Sequence, residues 1–256
     1  MHAPASELPV IAVDILARVH AQNPRVHCIT NAVAQTITAN VLLAVGAVPS
    51  MTLAVDEVGL FVRGSSALLV NLGTFDAERR AATAVAIDAA VEHGRPWVLD
   101  PVFINHSEPR AAHARELVTR LPKAIRLNRA EYTALAGTAA DENAIAIYAR
   151  GQNTVIGLTG ATDLVADGAR LAAIANGHPL MTKVTALGCA ESALVAACLA
   201  VERDAWRATA AALLIMGIAG EMAAKRARGP GSFAVEILDA LHALDRGTLM
   251  AQARVS

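Results

Sequence analysis

The sequence predicts an α/β fold in a single domain spanning residues 1–256, with a mostly parallel central sheet flanked by helices on both faces. Three observations carry this expectation. Short β-branched or aliphatic runs alternate with helix-length segments, a pattern that means parallel strands joined by crossover helices. A length of 256 residues suits one large α/β domain or two small ones, and the lack of repeats, low-complexity stretches or Ser/Gly linkers favours one. Hydrophobic residues make up 54% of the chain and aromatics only 3%, so alanine and the aliphatics supply a sizeable core.

The elements follow in order. VHCIT (26–30) reads as a first strand before a helical pattern at 36–45, and VPSM (48–51) as a second before a segment beginning at Asp56. ALLVNLG (67–73) leads into a helix over 76–93, with Asp76 as N-cap. PWVLDPV (96–102) precedes a helix from about 110 to 121, and KAIRLN (123–128) one over 130–136. A helix over 141–150 then leads to NTVIGLTG (153–160). At DLVADGARLAAI (163–174) the pattern changes: two apolar runs flank Asp167-Gly168, the strongest two-residue hairpin signal. The rest reads as helical over 189–201, 205–226 and 233–244, the last capped by Ser232.

Composition removes several classes of function. The 22 basic and 23 acidic residues leave a net charge of −1, and with so few stacking rings this argues against a nucleic-acid partner. MHAPASELP at the start carries no basic, amphipathic or signal-like segment. The apolar run between Arg207 and Glu221 falls short of the about 20 apolar residues a bilayer span needs. Cys28, Cys189 and Cys198 form no CxxC pair, and the histidines show no HxxxH or HExxH spacing. No GxxxxGK[ST] is present, and GPGSFA (229–234) joins two helices rather than a strand and a helix, so it reads as a tight connection. The whole reads as a soluble cytoplasmic protein with no membrane contact.

Ligands of a parallel α/β sheet bind at the carboxyl ends of its strands. There the sequence places Asn31 after the first strand, Met51 after the second, and Asn71, Gly73 and Thr74 at the third. Asp100 ends the fourth, Arg126, Asn128 and Glu131 the fifth, and Thr159 and Gly160 the sixth. Carboxylates, an arginine, a threonine and glycine turns on one rim suit phosphoryl transfer, in which acids hold Mg²⁺ and arginine and backbone N–H groups hold phosphates. Cys189 stands in the first turn of a helix, where the positive end of the helix field favours a thiolate. Its plain alternative is a small buried residue.

Taken together, VHCITNAVAQTITANVLLAVGAVPSM, NLGT, VLDPV, IRLNRAE, GLTGATD, NGHPLMTKVTALGC and GPGSFAVEILDAL resemble the hydroxyethylthiazole kinase family, in the same order and at compatible spacing, from about Val26 to Leu241. The resemblance implies a ribokinase-like fold and a homotrimer with active sites between subunits. It also implies transfer of the γ-phosphoryl of ATP, with Mg²⁺, to the primary hydroxyl of 4-methyl-5-(2-hydroxyethyl)thiazole in thiamine salvage. By position it assigns Met51 and Asn31 to the thiazole pocket, and Arg126 and Thr159 to ATP. Asp100 and Glu131 fall to Mg²⁺ and phosphate, Ala186 and Gly188 to the substrate-side turn, and Cys189 to the place of the catalytic base.

Three departures from the family pattern bear on that site. The turn before the cysteine, Gly-Thr-Gly or Gly-Ala-Gly in the family, is Ala186-Leu187-Gly188 here. If the first position needs positive φ, alanine there costs about 1 kcal/mol or somewhat more, and Leu187 adds a branched side chain where phosphate or thiazole would approach. DPVGAGAT becomes DPVFINHSEPR, and Glu191 adds a carboxylate expected to raise the thiol pKa of Cys189. Two other readings therefore stand beside thiazole phosphorylation. One is the same chemistry on a different small alcohol, in a pocket reshaped by Phe103, Ile104 and Leu187. The other is a catalytically weak nucleotide- or thiazole-binding protein.

Overall fold

The computed structural model describes residues 5–256, so the first four residues of the opening MHAPASELP lie outside it. Among the described residues eight strands are present: β1 Arg25–Ile29, β2 Val48–Ser50, β3 Ala67–Asn71, β4 Trp97–Asp100, β5 Ala124–Asn128, β6 Val155–Thr159, β7 Asp163–Ala166 and β8 Leu171–Ile174. They form one sheet in the order β2-β1-β3-β4-β5-β6-β7-β8. Every pair from β2 to β6 is parallel, and β6-β7 and β7-β8 are antiparallel. The helices are α1 Leu8–Gln22, α2 Gln35–Ala44, α3 Val58–Arg63, α4 Ala77–Glu92, α5 Glu108–Val118, α6 Arg129–Ala136, α7 Glu142–Gln152, α8 Leu187–Val201, α9 Ala205–Arg226, α10 Pro230–Ala243 and α11 Arg246–Gln252.

Period-two alternation along the strands builds two cores, one on each face of the sheet. Ala67 and Leu69 of β3 enter one core, with side chains of α1, α2, α8, α9 and α10. Leu68 and Val70 enter the other, with side chains of α3 to α7. Both faces of the central strands are therefore covered, which is why they read as continuous apolar runs rather than alternating ones.

Local chemistry explains most helix starts. Asp76 and Asp141 cap α4 and α7 by accepting the N–H groups of Arg79 and Ala144. Ser232 does not cap α10: the helix begins at Pro230, whose fixed φ suits a first position, and the Ser232 hydroxyl instead accepts the Arg228 N–H. The hairpin lies where expected, but its turn is centred on Gly168-Ala169, one residue later than Asp167-Gly168. Asp167 and Arg170 face each other across it through Asp167 N–H to Arg170 C=O, and Gly168 supplies φ +87°. The Asp167 carboxylate accepts the N–H groups of both Ala169 and Arg170, which favours that centre.

Helix α9, with 22 residues, is long and apolar enough by composition to cross a membrane, but 78% of its apolar window is buried inside the fold. It is the central helix of the first core, apolar on all sides because it is surrounded. Helix α11 and a final extended segment were not anticipated. That segment pairs Val255 with Ile174 and covers the open edge of β8.

Candidate active site

Because β1 and β3 to β6 are parallel, their last residues share one rim of the sheet, and helix α8 points its first turn at that rim. Register puts Asn71 beside Asp100 and Asn128 beside Thr159. A buried polar chain runs across it. Asn31 Nδ2 donates to Asn71 Oδ1 (3.2 Å) and to Cys189 Sγ (3.2 Å), and Asn71 Nδ2 donates to Asp100 Oδ2 (2.7 Å). Ser192, one turn along α8 from Cys189, donates to the same Asp100 oxygen at 2.8 Å. Asn71 Oδ1 also receives the Gly73 N–H at 3.0 Å, which sets the loop after β3. Gly73 must be glycine, since an added Cβ would stand 2.6 Å from the Asn31 side chain.

Asp100 is fully buried, and its Oδ1 meets no partner among the described residues. Burial raises its pKa to about 7 against the opposing Arg126 charge, with Glu131 adding to the rise. Thr30 Oγ1 and Asn31 Oδ1 are also buried without partners on this rim. Unsatisfied buried polar atoms are rare in folded proteins, and three together mark a place built for a ligand rather than for stability.

Cys189 is the third residue of α8, not its start, and only 7% exposed. The expected thiolate does not survive the tertiary setting. Burial first, and the Asp100 carboxylate second, push its pKa up to about 12, so it is a thiol at neutral pH. The helix field is outweighed because the side chain is removed from water. Glu191 is not the cause: its carboxylate turns to Arg126, which donates to Oε2 from Nε (3.1 Å) and forms an ion pair with it through Nη2 (2.9 Å).

The turn before Cys189 takes a left-handed conformation of the kind that favours glycine. Ala186 has φ 63°, ψ 15°, a left-handed alanine at the N-cap of α8. Phe103, where the second family glycine is missing, is also left-handed at φ 60°. Both lost glycines thus fall at strained positions beside the site, as backbone sterics require. Leu187, however, does not face the substrate. It is 3% exposed and packs in the first core, because as the first residue of a helix capped at Ala186 its side chain turns inward. Ile104 is likewise buried, in the second core. Of the three residues expected to reshape the pocket, only Phe103 stands exposed, at 58%.

Gly188 leaves room for a close approach, since a Cβ there would lie 2.7 Å from the Arg126 guanidinium in its present position. Arg126 therefore lies directly over the first turn of α8. Thr159, one strand beyond, is half-buried and donates to Leu127 C=O at 3.4 Å. Glu131 is not a free rim carboxylate: one oxygen accepts the Phe103 N–H (3.0 Å) and the other the Asn128 N–H (2.9 Å), within the capping box of α6. The Asn-x-x-Glu spacing that carries a capping box was legible in NRAE, but its tie to the Phe103 loop was not. Met51, half-buried just past β2, lies outside the polar chain.

The structure thus brings Asn31, Asp100, Arg126, Glu131, Ala186, Gly188 and Cys189 together around one helix terminus. Met51 and Thr159 stand on the flanks. Six strands from β2 to β6 at ~4.8 Å spacing separate those flanks by roughly 24 Å. Sequence reasoning missed Ser192 and the hub role of Asn71. The i, i+3 spacing of Cys189 and Ser192 was the one signal for the former.

Comparison with known proteins agrees with this geometry. The model of the hydroxyethylthiazole kinase family matches residues 16–247. A hydroxyethylthiazole kinase of Granulibacter bethesdensis is 46% identical, with 94% of this chain and 93% of that protein covered. A probable hydroxyethylthiazole kinase of Agrobacterium fabrum is 42% identical over 95% and 94%. Among solved structures, the hydroxyethylthiazole kinase protein of Pyrococcus horikoshii superposes with a TM-score of 0.92 at 36% identity, covering 96% of this chain and 98% of that one. A ribokinase-like superfamily protein of Enterococcus faecalis, at 13% identity and TM-score 0.69, shares the fold alone. With a ribokinase-like sheet, a helix terminus facing its rim, and relatives matched end to end, this chain belongs to the hydroxyethylthiazole kinase family.

Proposed function

We propose that the protein phosphorylates the primary alcohol of 4-methyl-5-(2-hydroxyethyl)thiazole with ATP, in thiamine salvage in the cytoplasm. The observation that carries this is the arrangement around α8: a helix N-terminus with no side-chain cap, Arg126 lying over Gly188, and Asp100 and Cys189 beside them. The first N–H groups of a helix have no acceptor within it, so this turn is a ready cradle for a transferring phosphoryl group. Met51 and Asn31 would bound the acceptor end of the rim, and Arg126 and Thr159 the nucleotide end.

The donor set fits Mg²⁺. Asp100 Oδ1 is a buried carboxylate oxygen without a partner, and a divalent cation or its bound water would satisfy it. No group of three or more His, Cys, Asp or Glu side chains gathers as a cage among the described residues, which suits an ion held mainly by phosphates and water. Bound there, Mg²⁺ would neutralise phosphate charge. Glu131, both of whose oxygens are occupied by backbone N–H groups, would instead hold the Phe103 loop and α6 in register. As a thiol, Cys189 orients the acceptor hydroxyl rather than serving as a ready-made base. A loose phosphoryl-transfer transition state asks mainly for positioning and charge stabilisation.

Assembly is part of the same proposal. The β2 edge and α3 leave Val48 (45%), Leu60 (67%) and Phe61 (44%) exposed around a groove of about 380 Å³. This apolar margin next to Met51 supports a homotrimer with the acceptor pocket completed by a neighbour. Light scattering at micromolar concentration should give a trimer mass, and a monomer would overturn that part. Catalysis is tested by coupled ADP release across a panel of small alcohols. Release with hydroxyethylthiazole is expected. Release only with another alcohol, or binding without turnover, would overturn the assignment.

A further inference from the structure

Glu191 and Asp163 are buried carboxylates with no part in the chemistry above, yet both reach the nucleotide end of the rim. Glu191 is 6% exposed and Asp163 8%. One oxygen of Glu191 accepts the Nε–H of Arg126 at 3.1 Å and forms an ion pair with its Nη2 at 2.9 Å. This holds the guanidinium flat over Gly188, whose missing Cβ leaves room for it. The other terminal nitrogen, Nη1, meets no protein acceptor among the hydrogen bonds of the described residues, so the edge of the fork away from Glu191 is left for a ligand. Asp163 Oδ1 meanwhile accepts the Gly160 N–H at 2.8 Å, fixing the turn just after Thr159.

Energetics give the arrangement a purpose. Burying two carboxylates and one guanidinium is a poor route to stability, since desolvation offsets most of the Coulomb gain. Burial and the nearby Glu191 raise the Asp163 pKa to about 7, so this set is held at a cost. An arginine on a long flexible stem loses much rotamer freedom when it captures an anion, and a fixed partner removes that loss beforehand.

We propose that Glu191 is a positioning residue for nucleotide binding: it locks Arg126 over the first turn of α8 so that the free edge of its guanidinium receives the nucleotide phosphates. This rests on the kinase reading, and it concerns a residue that acts through Arg126 without touching substrate. Glu191→Gln replaces the charged acceptor with a neutral one of equal size. Calorimetry with ADP and a non-hydrolysable ATP analogue is expected to show at least fivefold weaker binding. The KM for ATP should rise by a similar factor while the KM for the thiazole stays within twofold, a split that general destabilisation would not produce. In an Arg126→Met background, Glu191→Gln should weaken nucleotide binding no further. Should Glu191→Gln fail to fold, Glu191→Asp keeps the charge but draws it one methylene away from Arg126, and the same split is expected. Parent-like nucleotide affinity in the folded variant, or an additive loss in the Arg126→Met background, overturns the proposal while leaving the kinase reading intact. A parent protein that binds no nucleotide overturns both.

Discussion

Ala186→Gly isolates the one strained turn at the heart of the site. At φ 63°, ψ 15° the alanine occupies the left-handed region, which costs an L-residue roughly 1–2 kcal/mol. Glycine removes that strain, and it also serves better as an N-cap than alanine. Against this, glycine enlarges the unfolded ensemble by about 0.4–1 kcal/mol. The net gain is of order 0–1.5 kcal/mol, and a domain of this size gains roughly 2–4 °C in Tm per kcal/mol. Differential scanning calorimetry should therefore show a rise of up to about 6 °C. Since the backbone is already left-handed in the parent, the N–H groups of the turn are already in place. The kcat for thiazole phosphorylation should then change by less than about threefold, ~0.65 kcal/mol of barrier. A fall in Tm would show that the turn is not strained. A tenfold rise in kcat would show that the Ala186 methyl group obstructs the phosphoryl or the acceptor.

Three further outcomes follow from burial at this rim. Leu187→Thr, attractive as a restoration of the family turn, removes a side chain packed in the main core and buries a hydroxyl there. It should cost roughly 2–4 kcal/mol, read as a lowered denaturant midpoint, with no gain in activity; a faster, equally stable variant would place Leu187 in the pocket after all. Glu131→Gln turns an amide nitrogen toward one of two backbone N–H groups, so it should lose about 1–2 kcal/mol of stability as well as activity. Unchanged thermal stability would mean that the capping box is dispensable. For Asp100, the folded pKa of about 7 lies above the ordinary carboxylate value of 3.8, so the folded state binds the extra proton between those two values. Its contribution to stability is full below about pH 4 and is lost as pH rises through 7. Asp100→Asn can keep the acceptor toward Asn71 and Ser192. It should melt higher than the ligand-free parent at pH 8, with a much smaller difference at pH 5, and should be inactive. An equal difference at both pH values would refute the shift.

The sequence by itself determined the order of the elements, the cap at Asp76, and which residues end the parallel strands. Those depend on periodicity and short-range hydrogen bonding, which lie within a few residues along the chain. It also pointed to strain at Ala186 and to the departure at Phe103, because a missing glycine against a family pattern is visible in one dimension, but the left-handed backbone of Phe103 came only from the structure. What only the tertiary structure decided is where the side chains of those residues go. Cys189 became a protonated thiol because burial outweighs a helix terminus, and Leu187 left the pocket because α8 begins with it and turns it into the core. Glu131 proved to be engaged with two backbone N–H groups because its partner Phe103 arrives from another strand's loop. Glu191, expected to disturb the cysteine, instead faces Arg126 across the rim. Each of these depends on distances between residues 28 to 158 positions apart, or on how deeply a group is withdrawn from water. Desolvation and long-range contact are set by the whole fold, and no local pattern encodes them.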